Sequence, residues 1–181
     1  MPSELKLFVL ILALVFVVPG RATAQERRWS MGVRRGFSAT SYDDPFAQTE
    51  LFGTFDLPSH RPWRFNSESG WFMQSRLIGS VGGLRGQHEA GFVGSLGFSL
   101  IFGQEDFPLY IDTGTSPTIL SRDEFGPVNF GIPLQFTSYG GIYFRHRNVS
   151  VGYRFQHMSN ASLSDHNPGL DLHMLGVAYH F

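Results

Sequence analysis

Three residues near the C-terminus could do chemistry together: His157, Ser159 and Asp171. A serine hydroxyl is a weak nucleophile until a base takes its proton. An imidazole can be that base, and a carboxylate can orient the ring. Such a set transfers acyl groups. The spacing supports the grouping, because His157 and Ser159 are two residues apart and share a face on an extended strand. If the hairpin that follows closes symmetrically about Ser164, Asp171 falls directly across from His157, with side chains about 5 Å apart.

The strands that must carry these groups are striped. Val149, Val151, Tyr153 and Phe155 alternate with Ser150, Gly152, Arg154 and Gln156, and the apolar stripe runs on by parity to His157 and Ser159. On the last strand, Phe181, Tyr179, Val177 and Leu175 run back by parity to His173 and Asp171, opposite Met174, Gly176, Ala178 and His180. The three reactive groups are therefore expected on the wall that is otherwise apolar. Polar groups facing hydrocarbon cost energy that grows with depth, and they usually mark function. The plainer alternative is an ordinary interfacial strand end, where the penalty falls to roughly 0–1 kcal/mol.

Six further runs show the same period. Trp29, Met31, Val33 and Phe37 share a face in the first, and Leu51, Phe55 and Leu57 in the second. Trp71 to Val81 alternates less cleanly. Ala90, Phe92, Leu96, Phe98 and Leu100 form the clearest stripe, Phe107, Leu109 and Ile111 begin a fifth run, and Ile132 to Phe144 is a sixth. Eight such runs predict an all-β fold, an eight-stranded antiparallel transmembrane β-barrel with a narrow, filled interior and no aqueous channel. A soluble lipocalin-like barrel would alternate too, with its apolar face inward. The terminal Phe181 behind Tyr179, Val177 and Leu175 resembles the closing strand of outer-membrane proteins. An even strand number puts both termini on the periplasmic side, so the tight Arg147-Asn148 turn is periplasmic and His157 lies near the outer leaflet.

Composition agrees. Charged residues are 16% of the chain, aromatics 15%, and cysteine is absent, so no disulfide framework supports a secreted soluble domain. A formal net charge of −1 gives no reason to expect nucleic acid as a partner. Lys6, the apolar run Leu7 to Val18 and the small residues Ala22-Thr23-Ala24 read as a secretory leader over 1–24, with the barrel domain over 25–181. An N-terminal membrane anchor is the alternative, but the run is short of the ~20 residues a span needs.

The stretch Tyr153-Arg154-Phe155-Gln156-His157-Met158-Ser159-Asn160-Ala161, followed by Asn167-Pro168-Gly169 and an acid at 171, resembles the lipid A 3-O-deacylase family. Asp56-Leu57-Pro58 and Phe136-Thr137-Ser138 extend the likeness, although only the last 30 or so residues are specific. The resemblance implies an outer-membrane esterase that removes the 3-hydroxyacyl chain at position 3 of lipid A. Ser159 would be the nucleophile, His157 the base and Asp171 the orienting acid, with Asn160 and Asn167 holding the loop or the oxyanion. The family's acid is usually glutamate, so Asp171 is one methylene short, and Asp165 in the loop is the rival acid. Expected partners are lipopolysaccharide and the outer membrane, with a homodimer left open. No cofactor and no metal are expected. The alternatives are a non-catalytic structural or adhesion barrel, for which the longest loop candidate (Leu120 to Asn129) is modest, and a lipid A acyltransferase.

Other features carry less. His166 and His173 flank the site without metal-ligand spacing, and His60, His88, His146 and His180 are scattered. Gly82-Gly83 and Gly140-Gly141 lack the context of phosphate loops and are expected to relieve crowding in a small barrel. Trp29, Trp63 and Trp71 are expected as interface aromatics.

Overall fold

Period-two alternation is realised as eight long antiparallel strands. In a computed structural model, which describes residues 28–39, 44–57, 63–64 and 70–181, these are β1 (Trp29–Ser38), β2 (Ala47–Asp56), β3 (Trp71–Gly86), β4 (Glu89–Gln104), β5 (Leu109–Leu120), β6 (Leu134–His146), β7 (Val149–Ser159) and β8 (Leu170–His180). Each strand pairs with its sequence neighbour, and β1 also pairs with β8, which closes the barrel. The expected leader, 1–24, and His60 lie outside the described residues. Among the described residues no helix is long and apolar enough to cross a membrane.

The apolar stripes face outward. Phe92, Leu96 and Phe98 are 76%, 68% and 62% exposed, while Thr54, Ser99 and Ser150 on the opposite faces are buried. This excludes the lipocalin-like arrangement, whose apolar face would line the lumen. Trp29 and Trp71 are exposed at the end where the chain terminates, as interface aromatics should be. Phe181 N–H donates to Trp29 O at 2.9 Å, so both ends of the barrel chain meet there, beside the Arg147-Asn148 turn, where His180 N–H donates to Asn148 O. The long connections 121–133 and 160–169 are at the other end.

The register sets depth. Followed from Ser38 through Leu172, Gln156, Tyr139, Gly114, Ser99, Arg76 and Asp56, the pairing returns to β1 at Arg28, ten residues nearer the periplasm. The strands must tilt by about 40° to close on such a stagger. A residue on β7 therefore sits a little deeper than its partner on β8.

Two features fill the interior. Ion pairs cross it: Arg34 with Glu50, and Arg76 with Asp56 at 3.0 Å and Asp112 at 3.7 Å. Gln48 and Ser80 also donate to the Glu50 carboxylate, at 2.9 Å each. Paired and hydrogen-bonded, such charges are tolerated away from water, whereas single ones are not. Toward the outer mouth the lining turns apolar. Leu84, Val93, Leu120, Met158, Leu172 and Met174 point inward and pack with Phe46, Phe125 and Phe130. The last two come from the connection 121–133, whose short hairpin (Glu124–Phe125 with Val128–Asn129) folds over the opening. Phe46, Phe125 and Phe130 meet edge to face, with ring centroids 5.6–6.0 Å apart. Crowding explains Gly82 and Gly141, where a Cβ would strike Thr49 O and Tyr153 O, but not the open Gly83 and Gly140.

Candidate active site

Strand β7 exposes its odd-numbered side chains on the membrane wall while Gln156 and Met158 fill the lumen and fix its rotation. His157 and Ser159 therefore face outward in turn. Across the hairpin, His157 pairs in register with Asp171. His157 Nδ1 and Asp171 Oδ1 are 2.7 Å apart, with side chains 51% and 38% exposed. A contact this short, between a carboxylate and a ring N–H, holds the imidazole in the tautomer whose Nε2 can accept a proton. Among the described residues no hydrogen bond joins Ser159 to His157. The site thus holds a formed acid–imidazole pair with a hydroxyl beside it, and such contacts commonly tighten only when substrate is bound.

The loop that joins the strands, 160–169, is held by Asn160, which is fully buried. Its Nδ2 donates to Phe130 O at 2.9 Å and to His166 O at 2.7 Å, and its backbone N–H donates to Asn167 Oδ1 at 3.0 Å. Both Nδ2 hydrogens of Asn160 are thereby spent on carbonyls, which suits a structural role. Asn167 is exposed, with only its Oδ1 engaged. Asp165 is exposed in the loop and makes no contact with His157 among the described residues.

Gly169 closes the loop with φ +69°, and a Cβ there would lie 3.0 Å from His157 Cε1 and 3.7 Å from Nε2. The Nε2 edge of the ring therefore lies against the glycine. Gly169→Ala is expected to lower turnover about ten- to a hundredfold, because a displaced base of even 1 Å is costly and a left-handed backbone disfavours a side chain. The check is the rate of ester release by variant protein that still shows the heat-dependent gel shift of a folded barrel.

A second outward pair was not singled out from sequence. Tyr153 Oη and His173 Nδ1 are 2.7 Å apart on the same wall, with Phe155 edge-on to the His173 ring. Parity had already put His173 on the outward stripe, and that was the available signal. His88 instead faces Asp44 at 3.6 Å, and His180 Nε2 meets Ser150 Oγ inside the barrel at 3.0 Å. No group of three or more His, Asp or Glu side chains among the described residues could hold a metal ion.

A closed barrel with an apolar outer wall and a reactive cluster at one rim is an outer-membrane β-barrel by class. Residues 47–180 match the family described as Lipid A 3-O-deacylase (PagL), and the chain belongs to that family. A stretch of 73 residues is 34% identical to the lipid A deacylase PagL of Bordetella bronchiseptica, covering 40% of this chain and 41% of that protein. The matched stretch is thus less than half the length of that relative. Among solved structures, that of the outer membrane enzyme PagL superposes with a TM-score of 0.66 at 20% identity, covering 82% of this chain and 98% of the other. The outer membrane protein Ail of Yersinia pestis, in a phospholipid bilayer nanodisc, gives 0.50 at 15% identity, covering 86% and 100%. At these identities the two likenesses show the fold.

Proposed function

We propose that this chain is a carboxylic ester hydrolase that removes the 3-hydroxyacyl chain from position 3 of lipid A, working from within the outer leaflet. The observation that carries the reading is the His157–Asp171 contact of 2.7 Å on the lipid-facing wall. No structural need of the barrel calls for an imidazole–carboxylate pair there.

In this reading Ser159 Oγ attacks the ester carbonyl while His157 Nε2 takes its proton. Asp171 keeps the proton on Nδ1 and stabilises the imidazolium. The negative charge that develops on the carbonyl oxygen needs donors at hand, and Asn167 Nδ2 is the proposed one, its Oδ1 being held by Asn160. The imidazolium then protonates the departing sugar oxygen, leaving the acyl group on Ser159. Water attacks that ester with His157 again as base, and the fatty acid leaves.

Purified barrel incubated with lipopolysaccharide should lower the mass of lipid A by one 3-hydroxyacyl group and release the matching free acid. A gain in mass would favour the acyltransferase instead, and an unchanged spectrum the non-catalytic barrel. The leader reading of residues 1–24 belongs to the same proposal.

A further inference from the structure

We propose that Tyr153 and His173 form a specificity-determining station that binds a hydroxyl on the acyl chain being cleaved. The inference rests on the deacylase reading and adds to it which part of the lipid is read and by which residues. Tyr153 Oη lies 2.7 Å from His173 Nδ1, and the two rings stack with centroids 5.9 Å apart. Phe155, the register partner of His173, closes on the same ring edge to face at 5.4 Å. All three side chains are exposed on the outer wall.

Their place in the lattice ties them to the reaction. His173 is two residues from Asp171 on the same face of β8, and Phe155 is two residues from His157 on β7. Two residues along a strand are about 7 Å. The stagger of the barrel sets β7 deeper than β8, so His173 lies within a few ångströms of the depth of His157. An acyl chain whose ester sits at Ser159 passes His157, and then His173 and Phe155, before it reaches plain hydrocarbon. An oxygen carried a few carbons beyond the carbonyl passes this ring.

The polar atoms say what kind of oxygen. A hydrogen-bonding group facing hydrocarbon is costly unless it is satisfied. In the proposed arrangement the Tyr153 O–H donates to Nδ1, which puts the ring proton on Nε2. That Nε2–H has no protein partner among the described residues. In this tautomer the pair carries no charge, so it offers little to a phosphate and suits a neutral hydroxyl.

The test uses the full barrel in detergent micelles with two synthetic esters of one glucosamine phosphate, bearing a 3-hydroxytetradecanoyl or a tetradecanoyl chain. One net hydrogen bond predicts about a tenfold preference in kcat/KM for the hydroxylated chain. In Tyr153→Phe, which keeps the ring stack and removes only the O–H, and in His173→Phe, that ratio should collapse toward one. A ratio that stays near ten in both variants, or is already one in the wild type, overturns the station. A second arm reads binding alone: in protein with 15N-labelled histidine, the His173 Nε2 resonance should move with the hydroxylated ester and not with the plain one. Equal movement with both would assign the donor to the ester carbonyl and overturn the proposal. If neither ester is cleaved but the selective movement is seen, the deacylase reading and the specificity role fall together, and the pair is left as a hydroxyl binder only.

Discussion

With Ser159 replaced by alanine, lipid A incubated with the barrel is expected to keep its mass, the hydrolysis rate falling on the order of 10⁴-fold. The size of the effect follows from what the hydroxyl does: without it no acyl-enzyme forms, and only binding and charge stabilisation remain. The fold should be indifferent, since the Ser159 hydroxyl makes no hydrogen bond among the described residues and its backbone pairing with Phe136 survives the change. The informative control is Ser138. It pairs in register with His157 from β6, on the side opposite Asp171, and is the other serine beside that ring. Its Oγ is already engaged with Thr115 at 3.2 Å. Ser138→Ala should therefore leave most of the activity. Activity kept in Ser159→Ala and lost in Ser138→Ala would move the nucleophile one strand over.

Asp171→Asn should be the next most damaging change, lowering kcat on the order of 10³-fold with KM nearly constant. An asparagine offers Nδ1 either an amide N–H, which forces the wrong tautomer, or a neutral oxygen that stabilises the imidazolium poorly. Asp171→Glu separates reach from charge. The aspartate already meets Nδ1 at 2.7 Å from the position directly across the hairpin. A longer acid must push the ring or buckle, and a fall of about tenfold is expected. If glutamate instead raised the rate well above that of the natural chain, the pair would be too loose for catalysis as it stands. Steady-state kinetics on one defined ester decides between these outcomes.

The wall of the barrel was legible because strict alternation needs no knowledge of neighbours. The His157–Asp171 opposition was legible too, since a hairpin centred on Ser164 fixes its own register. Strand β5 was only half visible. Beyond Ile111 it reads Asp112-Thr113-Gly114-Thr115-Ser116-Pro117-Thr118, with no large apolar side chain on either face, so no period marks these seven residues of its crossing. The outer plug was missed for a different reason. Parity says that Leu84, Met158, Leu172 and Met174 point inward, but not that Phe125 and Phe130 descend from a loop to meet them. Arg76 joins Asp56, its partner on the neighbouring strand β2, to Asp112 two strands away on β5, and that second contact is one only the closed barrel defines. The Tyr153–His173 contact runs diagonally across the hairpin, where side-chain rotamers rather than register decide what touches.

Phe46, Phe125 and Phe130 stopper the outer mouth of the bore. A cell can crowd its envelope with copies of such a barrel without opening a leak to ions or small solutes. Under the proposed deacylase reading, traffic with the substrate is then purely lateral. Encounters happen in two dimensions, at a frequency set by how fluid and how densely packed the surrounding leaflet is, not by any dissolved concentration.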